Sequence, residues 1–335
     1  MKFRHAGAAL LLGALLSASA ALADDSEARL DIGGLTFTQT NQIEMQTEDL
    51  FLSVDQVRIR YTFHNRSNHD ITSLVAFPLP DISPDYYFEP VAIPATGDPN
   101  FVNFQTKVDG HRVEMAVDQR ARLHGRDVTA RLREAGLPLS PIDPKFADAV
   151  KRLTPQQLTA LTHDGLVENV SGDPHEAEYR GLWSLATAFH RTQVFPANGT
   201  ITVEQSYNPI AGGSVESLLL IDSIPRTNAD RRRLVRDYCV DDAFESAAHA
   251  AAQRIGGPEY VGERTLGYIL TTGGHWAGPI GRFHLTIDKG APENLVSLCA
   301  PDIQRTGPTT FELTRMNWRP RSNLQIYFLM PHREN

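Results

Sequence analysis

The chain has 335 residues, of which 41% are hydrophobic and 21% charged, with 40 acidic residues against 32 Lys and Arg and a formal net charge of −8. That length suits one large or two modest domains and is ample for a buried core. The acidic balance gives no electrostatic basis for binding nucleic acid or an anionic membrane surface.

The first segment is MKFRHAGAALLLGALLSASAALADD. Lys2 and Arg4 supply a positive start, Ala8 to Leu16 an apolar run, and Ala21-Leu22-Ala23 a small-x-small cleavage signal. Residues 1–23 therefore read as a secretory signal peptide cut before Asp24. No cysteine follows the apolar run, so a lipoprotein anchor is not expected. No later apolar run reaches the roughly 18 residues of a transmembrane helix. The mature product is expected to be periplasmic or secreted. Its two cysteines, Cys239 and Cys299, are an even count in an oxidising compartment and predict a disulfide. The alternative is two buried free thiols.

Residues 34–54 supply two or three strands. Val57, Ile59, Tyr61 and Phe63 then alternate with Arg58, Arg60, Thr62 and His64, the period of a half-buried strand. Asn65 to Asp70 is polar and turn-forming, and Ile71, Ser73, Val75 and Phe77 resume the alternation until Pro78 and Pro80 end it. These two runs are expected to pair as an antiparallel hairpin. A second hairpin is predicted around Asp109-Gly110.

Residues 119–190 change character and read as a helical insertion. DVTARLREAGLP has helical spacing and a Gly stop, and Phe146, Val150 and Leu153 recur at i, i+4, i+7 after Asp143. Thr154, Pro155 and Gln157 form a capping signature closed by Gly165. The leucine stripe reads as packing against the sheet, with a ligand-covering lid as the alternative. A strand follows, with Ile201, Val203 and Gln205 on one face.

Two further helices are predicted, near 228–238 and over DDAFESAAHAAAQRIGG, with Gly256 as the second helix's stop. The remainder returns to short, turn-punctuated strands. The predicted fold is mainly β. An N-terminal β-sandwich with an α-helical insertion covers 24–215, and two helices and a second, smaller β-sandwich-like unit cover 216–335.

Several phrases together carry a resemblance: GGLTF, EDLFLS, VAFPLPD, TQVFPANGTITVEQSY, GHWAGPIGRFHLTIDKGAPENLVSLC and the closing RP-x-x-NLQIYFL. Across essentially the whole mature chain they resemble an exported bacterial family catalogued as domain-of-unknown-function family 4424. That resemblance implies a bacterial envelope protein and supplies no activity. Residues 50–207 are also similar, more weakly, to the VIT module that heads inter-alpha-trypsin inhibitor heavy chains. The points of likeness are Asn65, Phe77-Pro78-Leu79-Pro80, Val108 to Val113 and Phe195-Pro196. The VIT likeness implies an extracellular interaction domain. No D-x-S-x-S metal motif of the kind that follows in those proteins is present, so a metal-dependent adhesion role is unsupported.

The sequence contains no complete catalytic motif. His175 and Glu176 begin an H-E-x-x-H, but Tyr179 stands where the second zinc ligand belongs. There is no G-x-S-x-G, and Ser214 fits a turn before a strand. Glu44, Glu48, Asp49 and Asp55 form an acidic patch whose simplest reading is a solvated strand edge. Tyr86 and Tyr87, and the glycine-flanked His275 and Trp276, are the candidate binding residues. No metal site or cofactor is expected. The chain therefore reads as a non-enzymatic binding or assembly protein of the bacterial cell envelope, with an envelope protein or a glycan as partner. The alternatives are a periplasmic enzyme acting on glycans or peptidoglycan, and a small-molecule or metal-ion binding protein using the inter-domain cleft.

Overall fold

The structure, a computed structural model, describes residues 26–31, 34–38, 40–87, 93–95, 97–171, 177–271 and 275–332, with backbone only for 26–38 and Tyr87. The predicted signal peptide, and His175 and Glu176, lie outside the described residues.

In chain order the first strands are β1 (Ser26–Asp31), β2 (Gly34–Thr38), β3 (Ile43–Leu52), β4 (Val57–Asn65) and β5 (Ile71–Pro78). A short 3-10 turn, Pro84–Tyr87, precedes β6 (Gln105–Val108), β7 (His111–Val113), β8 (Ala116–Leu123) and β9 (Arg126–Asp127). Three helices follow, α1 (Thr129–Glu134), α2 (Phe146–Lys151) and α3 (Pro155–His163). Next come β10 (Val167–Asn169), β11 (Tyr179–Gly181), β12 (Ser184–Phe195), β13 (Thr200–Tyr207) and β14 (Gly212–Ser214). After α4 (Ala229–Tyr238) and α5 (Asp242–Ile255), the chain ends in β15 (Val261–Tyr268), β16 (Ile280–Asp288), β17 (Leu295–Leu298), β18 (Gln304–Arg305), β19 (Thr310–Trp318) and β20 (Leu324–Pro331). The fold is mainly β, as the alternation predicts.

A six-stranded sheet, β2-β1-β5-β12-β8-β9, faces an eight-stranded sheet, β18-β19-β16-β3-β4-β13-β6-β7. Their inner faces form one core in which Val75, Phe77 and Phe189 of the first meet Tyr61, Phe63 and Phe283 of the second. Strands β16 and β19 lie beyond residue 215 and still join β3, through a parallel β3–β16 pairing. A third sheet, β14-β15-β20-β17, closes the end of this sandwich. Period two explains how it does so. Ile326 and Phe328 of β20 enter the main core, while Tyr327 and Leu329 face the opposite way, under α4 and α5. Cys239, the left-handed C-cap of α4, is bonded to Cys299 just after β17, with the Cα atoms 5.0 Å apart. The disulfide thus ties the helical layer to the third sheet, as expected.

Two expectations are corrected. Strands β4 and β5 do not form a hairpin: β4 pairs with β3 and β13, whereas β5 pairs with β1 and β12 in the opposite sheet. The chain between them crosses the sandwich as an arch, held by the buried Asn65. Its Nδ2 donates to the carbonyls of His69 and Phe195, both at 2.9 Å, and its Oδ1 accepts from the Ser67 amide. Glu48 is also not on a solvated edge, being fully buried. The β3–β4 register slips between Met45 and Thr47, and this bulge turns Glu48 inward with Leu50 and Leu52.

The helices α1 to α3 cover a smaller core of their own, built on Leu132, Phe146, Leu161 and Trp183. Trp183 is fully buried and its Nε1 donates to Leu139 at 2.7 Å. Thr154 and Gln157 make the reciprocal capping box that the sequence signals. The outer parts of the predicted insertion, 119–123 and 184–190, are not helical, because they continue β8 and begin β12.

Candidate functional site

Three stretches distant in sequence converge where the sandwich meets the third sheet. Pro78 ends β5, and Leu79, Pro80 and Asp81 run out to the turn that carries Tyr86. The prolines cannot donate to a ladder, so pairing with β12 becomes intermittent here, kept only by the Leu79 amide on Thr187 and the Ile82–Leu185 bridge, and the segment forms a cleft wall. The end of β13 supplies Tyr207, followed by Pro209 and Ile210. Tyr238 of α4, Thr265 of β15 and Gln325 of β20 supply the third wall. Together they enclose about 170 Å³.

The wall is apolar at its base and polar at its rim. Asp81 stands at the mouth, and desolvation by its surroundings holds its carboxyl above the usual value of 3.8, with Arg122 opposing the shift. Burial raises the Tyr238 hydroxyl, partly offset by a side-chain hydrogen bond with Thr265. Behind it Tyr327, whose ring centroid lies 5.6 Å from that of Tyr238, donates to Glu263 and is 2.6 Å from Ser217 Oγ. Burial drives the Tyr327 hydroxyl well above 10. It therefore stays protonated and fixes the back of the wall.

Tyr86 also borders a second space. A groove of about 1010 Å³ runs between the 3-10 turn, α2, α3 and β11, lined by Ile142, Pro144, Val150, Leu153, Leu158 and Tyr179 among others. Tyr86 is thus a wall of both cleft and groove. The groove is open and lies beside the helices.

The sequence-predicted residues fall in different places. Tyr86 is half-buried at the junction just described. The Tyr87 side chain lies outside the described atoms. Trp276 is only 2% exposed and packs on Phe63, with ring centroids 4.5 Å apart, and on Phe195. It is part of the sandwich core. His275 is strapped to the segment that leads into β3: its carbonyl accepts from the Thr40 amide at 2.9 Å, and the Ala277 amide donates to the Ile43 carbonyl at 2.8 Å. Its Nδ1 is buried without a hydrogen-bond partner among the described residues, and desolvation holds the ring below 6.5. The structure does not bring Tyr86 and Trp276 together.

Sequence reasoning missed Asp81, Tyr207, Tyr238 and Gln325. Pro78 and Pro80 around Leu79 were the one local signal, marking where the continuous β5 ladder ends.

Two residues of the acidic patch are held by arginines. Glu44 pairs with Arg66 at 2.9 Å, and Asp49 takes Arg282 at 2.7 and 3.0 Å. Among the described residues no three His, Cys, Asp or Glu side chains are grouped as metal ligands.

A family model described as "Domain of unknown function (DUF4424)" matches residues 23–327. No curated protein matches the sequence. Among solved structures, a protein from Legionella pneumophila described as a "putative nutrient binding protein" is similar at 14% identity and a TM-score of 0.43, over 87% of this chain and 68% of that one.

Proposed function

The chain belongs to this family, DUF4424, which is defined without a known activity, and we propose that it is a non-enzymatic binding protein of the bacterial cell envelope that seizes an apolar segment of a partner protein. One observation carries this reading: Tyr86 lines both the cleft and the apolar groove, so the two spaces lie side by side. A segment lying along the proline- and aliphatic-lined groove can turn one side chain into the cleft, where Asp81, Thr265 and Gln325 offer polar contacts at the rim. A buried anchor in a preformed pocket is how most interfaces concentrate their affinity.

Export is supported by the signal-like residues 1–23 and by the Cys239–Cys299 disulfide, which persists in oxidising compartments. Among the described residues no helix is long and apolar enough to cross a membrane. The test is chemical crosslinking of the tagged protein in its own envelope, followed by mass spectrometry of what co-purifies. A reproducible protein partner lost in Tyr86→Ala supports the proposal. A partner captured equally by wild type and Tyr86→Ala removes the cleft as its seat.

A further inference from the structure

The outward face of the eight-stranded sheet carries a second site, independent of the cleft. Register fixes its layout. Across the sheet, His284, Asp49, Arg60, Glu204 and Lys107 stand side by side in one rung on β16, β3, β4, β13 and β6. The adjacent rung reads Thr286, Phe51, Arg58, Ser206 and Gln105 on the same strands. Neighbouring strands lie about 4.8 Å apart, so these ten side chains form one continuous patch. They line a groove of about 370 Å³, near the lower end of the roughly 300–1,000 Å³ typical of ligand sites.

Charge within the patch is unevenly satisfied. Glu204 is paired with Arg60, and Asp49 with Arg282. Arg58 and Lys107 are left with no ion pair among the described residues, in a chain whose formal net charge is −8. Arg58 is moreover set in place. Its guanidinium carbon lies 4.1 Å above the centre of the Phe51 ring, which holds the plane and leaves the N–H edge for a ligand. Between the two cations stand the Ser206 hydroxyl and the Gln105 amide, and beyond Phe51 stand Thr286 and His284.

We propose that this face binds a carboxylate-bearing sugar, with the carboxylate on the free N–H edge of Arg58 and with Ser206, Gln105 and the Lys107 ammonium on the hydroxyls. A guanidinium fork matches a carboxylate in two parallel hydrogen bonds. The density of neutral donors and acceptors around it suits a polyhydroxylated body better than an aliphatic acid. The carboxylate meets the charge that the unpaired Arg58 leaves open, so binding is expected to weaken as salt rises.

Calorimetric titration of the full chain at low salt tests this with glucuronate, galacturonate and N-acetylneuraminate, and with galactose and acetate as controls. At least one sugar acid should bind about tenfold more tightly than either control, a ratio that one charge-assisted hydrogen bond supplies. Arg58→Gln and Lys107→Gln should each weaken it by about tenfold or more. Both residues are exposed, so the unfolding midpoint should not move. Trigalacturonate binding more tightly than the monomer would place the unit within a glycan chain, and equal binding would assign a free sugar acid. The proposal is overturned if none of the sugar acids binds, if acetate binds as well as they do, or if the Arg58→Gln/Lys107→Gln double variant binds undiminished. Tyr86→Ala should leave this binding intact, which separates its outcome from that of the cleft.

Discussion

Replacing Asn65 by alanine should open the arch that carries the chain from one sheet to the other. Asn65 is fully buried and makes four hydrogen bonds: from Nδ2 to the carbonyls of His69 and Phe195, and at Oδ1 from the amide and hydroxyl of Ser67. A net hydrogen bond contributes about 1 kcal/mol, and a buried group left without its partner costs about 1–3 kcal/mol. The Phe195 carbonyl would be stranded in this way. The expected loss is about 4 kcal/mol, or roughly 6 °C in Tm for a chain of this size. Urea unfolding reads it as a lower midpoint at unchanged slope. Asn65→Asp should do no better at neutral pH, because it loses both donors and buries a charge, and should recover partly as acid protonates it. Ser67→Ala, which removes only a hydroxyl at the arch surface, should cost about 1 kcal/mol. A loss below about 1 kcal/mol for Asn65→Ala would refute the idea that this side chain holds the arch.

Three other outcomes follow from the structure. Replacing Cys239 and Cys299 together by alanine releases a loop of sequence separation 60, which in the chain-entropy model costs about 4 kcal/mol; thermal unfolding with and without reductant should converge only in the variant. His275 is held below its ordinary 6.5 by burial, so the unfolded chain takes up the proton first as pH falls. Its contribution to stability is complete above 6.5 and is lost as pH drops below that value toward the folded pKa. His275→Gln should flatten the fall in urea midpoint between about pH 7.5 and 5, and an identical slope in wild type and variant would contradict this. A Cβ on Gly281 would stand 2.5 Å from the Gln46 carbonyl at the β3 bulge, so Gly281→Ala should destabilise by about 1–3 kcal/mol in a thermal melt.

The strands and helices were largely legible, because each writes its own period into neighbouring residues. Their partners were not. Alternation says which face of β4 is buried and nothing about which strand lies beside it, and Asn65 to Asp70 has the same polar composition whether it turns a hairpin or spans a sandwich. The bulge was readable in retrospect: Ile43 and Met45 are apolar at odd positions, Leu50 and Leu52 at even ones, and an extra residue must absorb the change of phase. Trp276 misled because glycines around an aromatic suggest a loop at the surface, whereas here they let the indole enter the core beside Phe63. The cleft was beyond reach, since Asp81, Tyr207, Tyr238 and Gln325 meet only once three sheets are assembled.

The central claim is that a partner occupies the cleft at Tyr86. A photo-crosslinking amino acid placed at position 86, and for comparison at Val215, which is 73% exposed and does not line the cleft, tests it most directly in cells. The account predicts a discrete protein adduct on illumination at position 86 and none at position 215. No adduct at 86, or the same adducts at both positions, would contradict it.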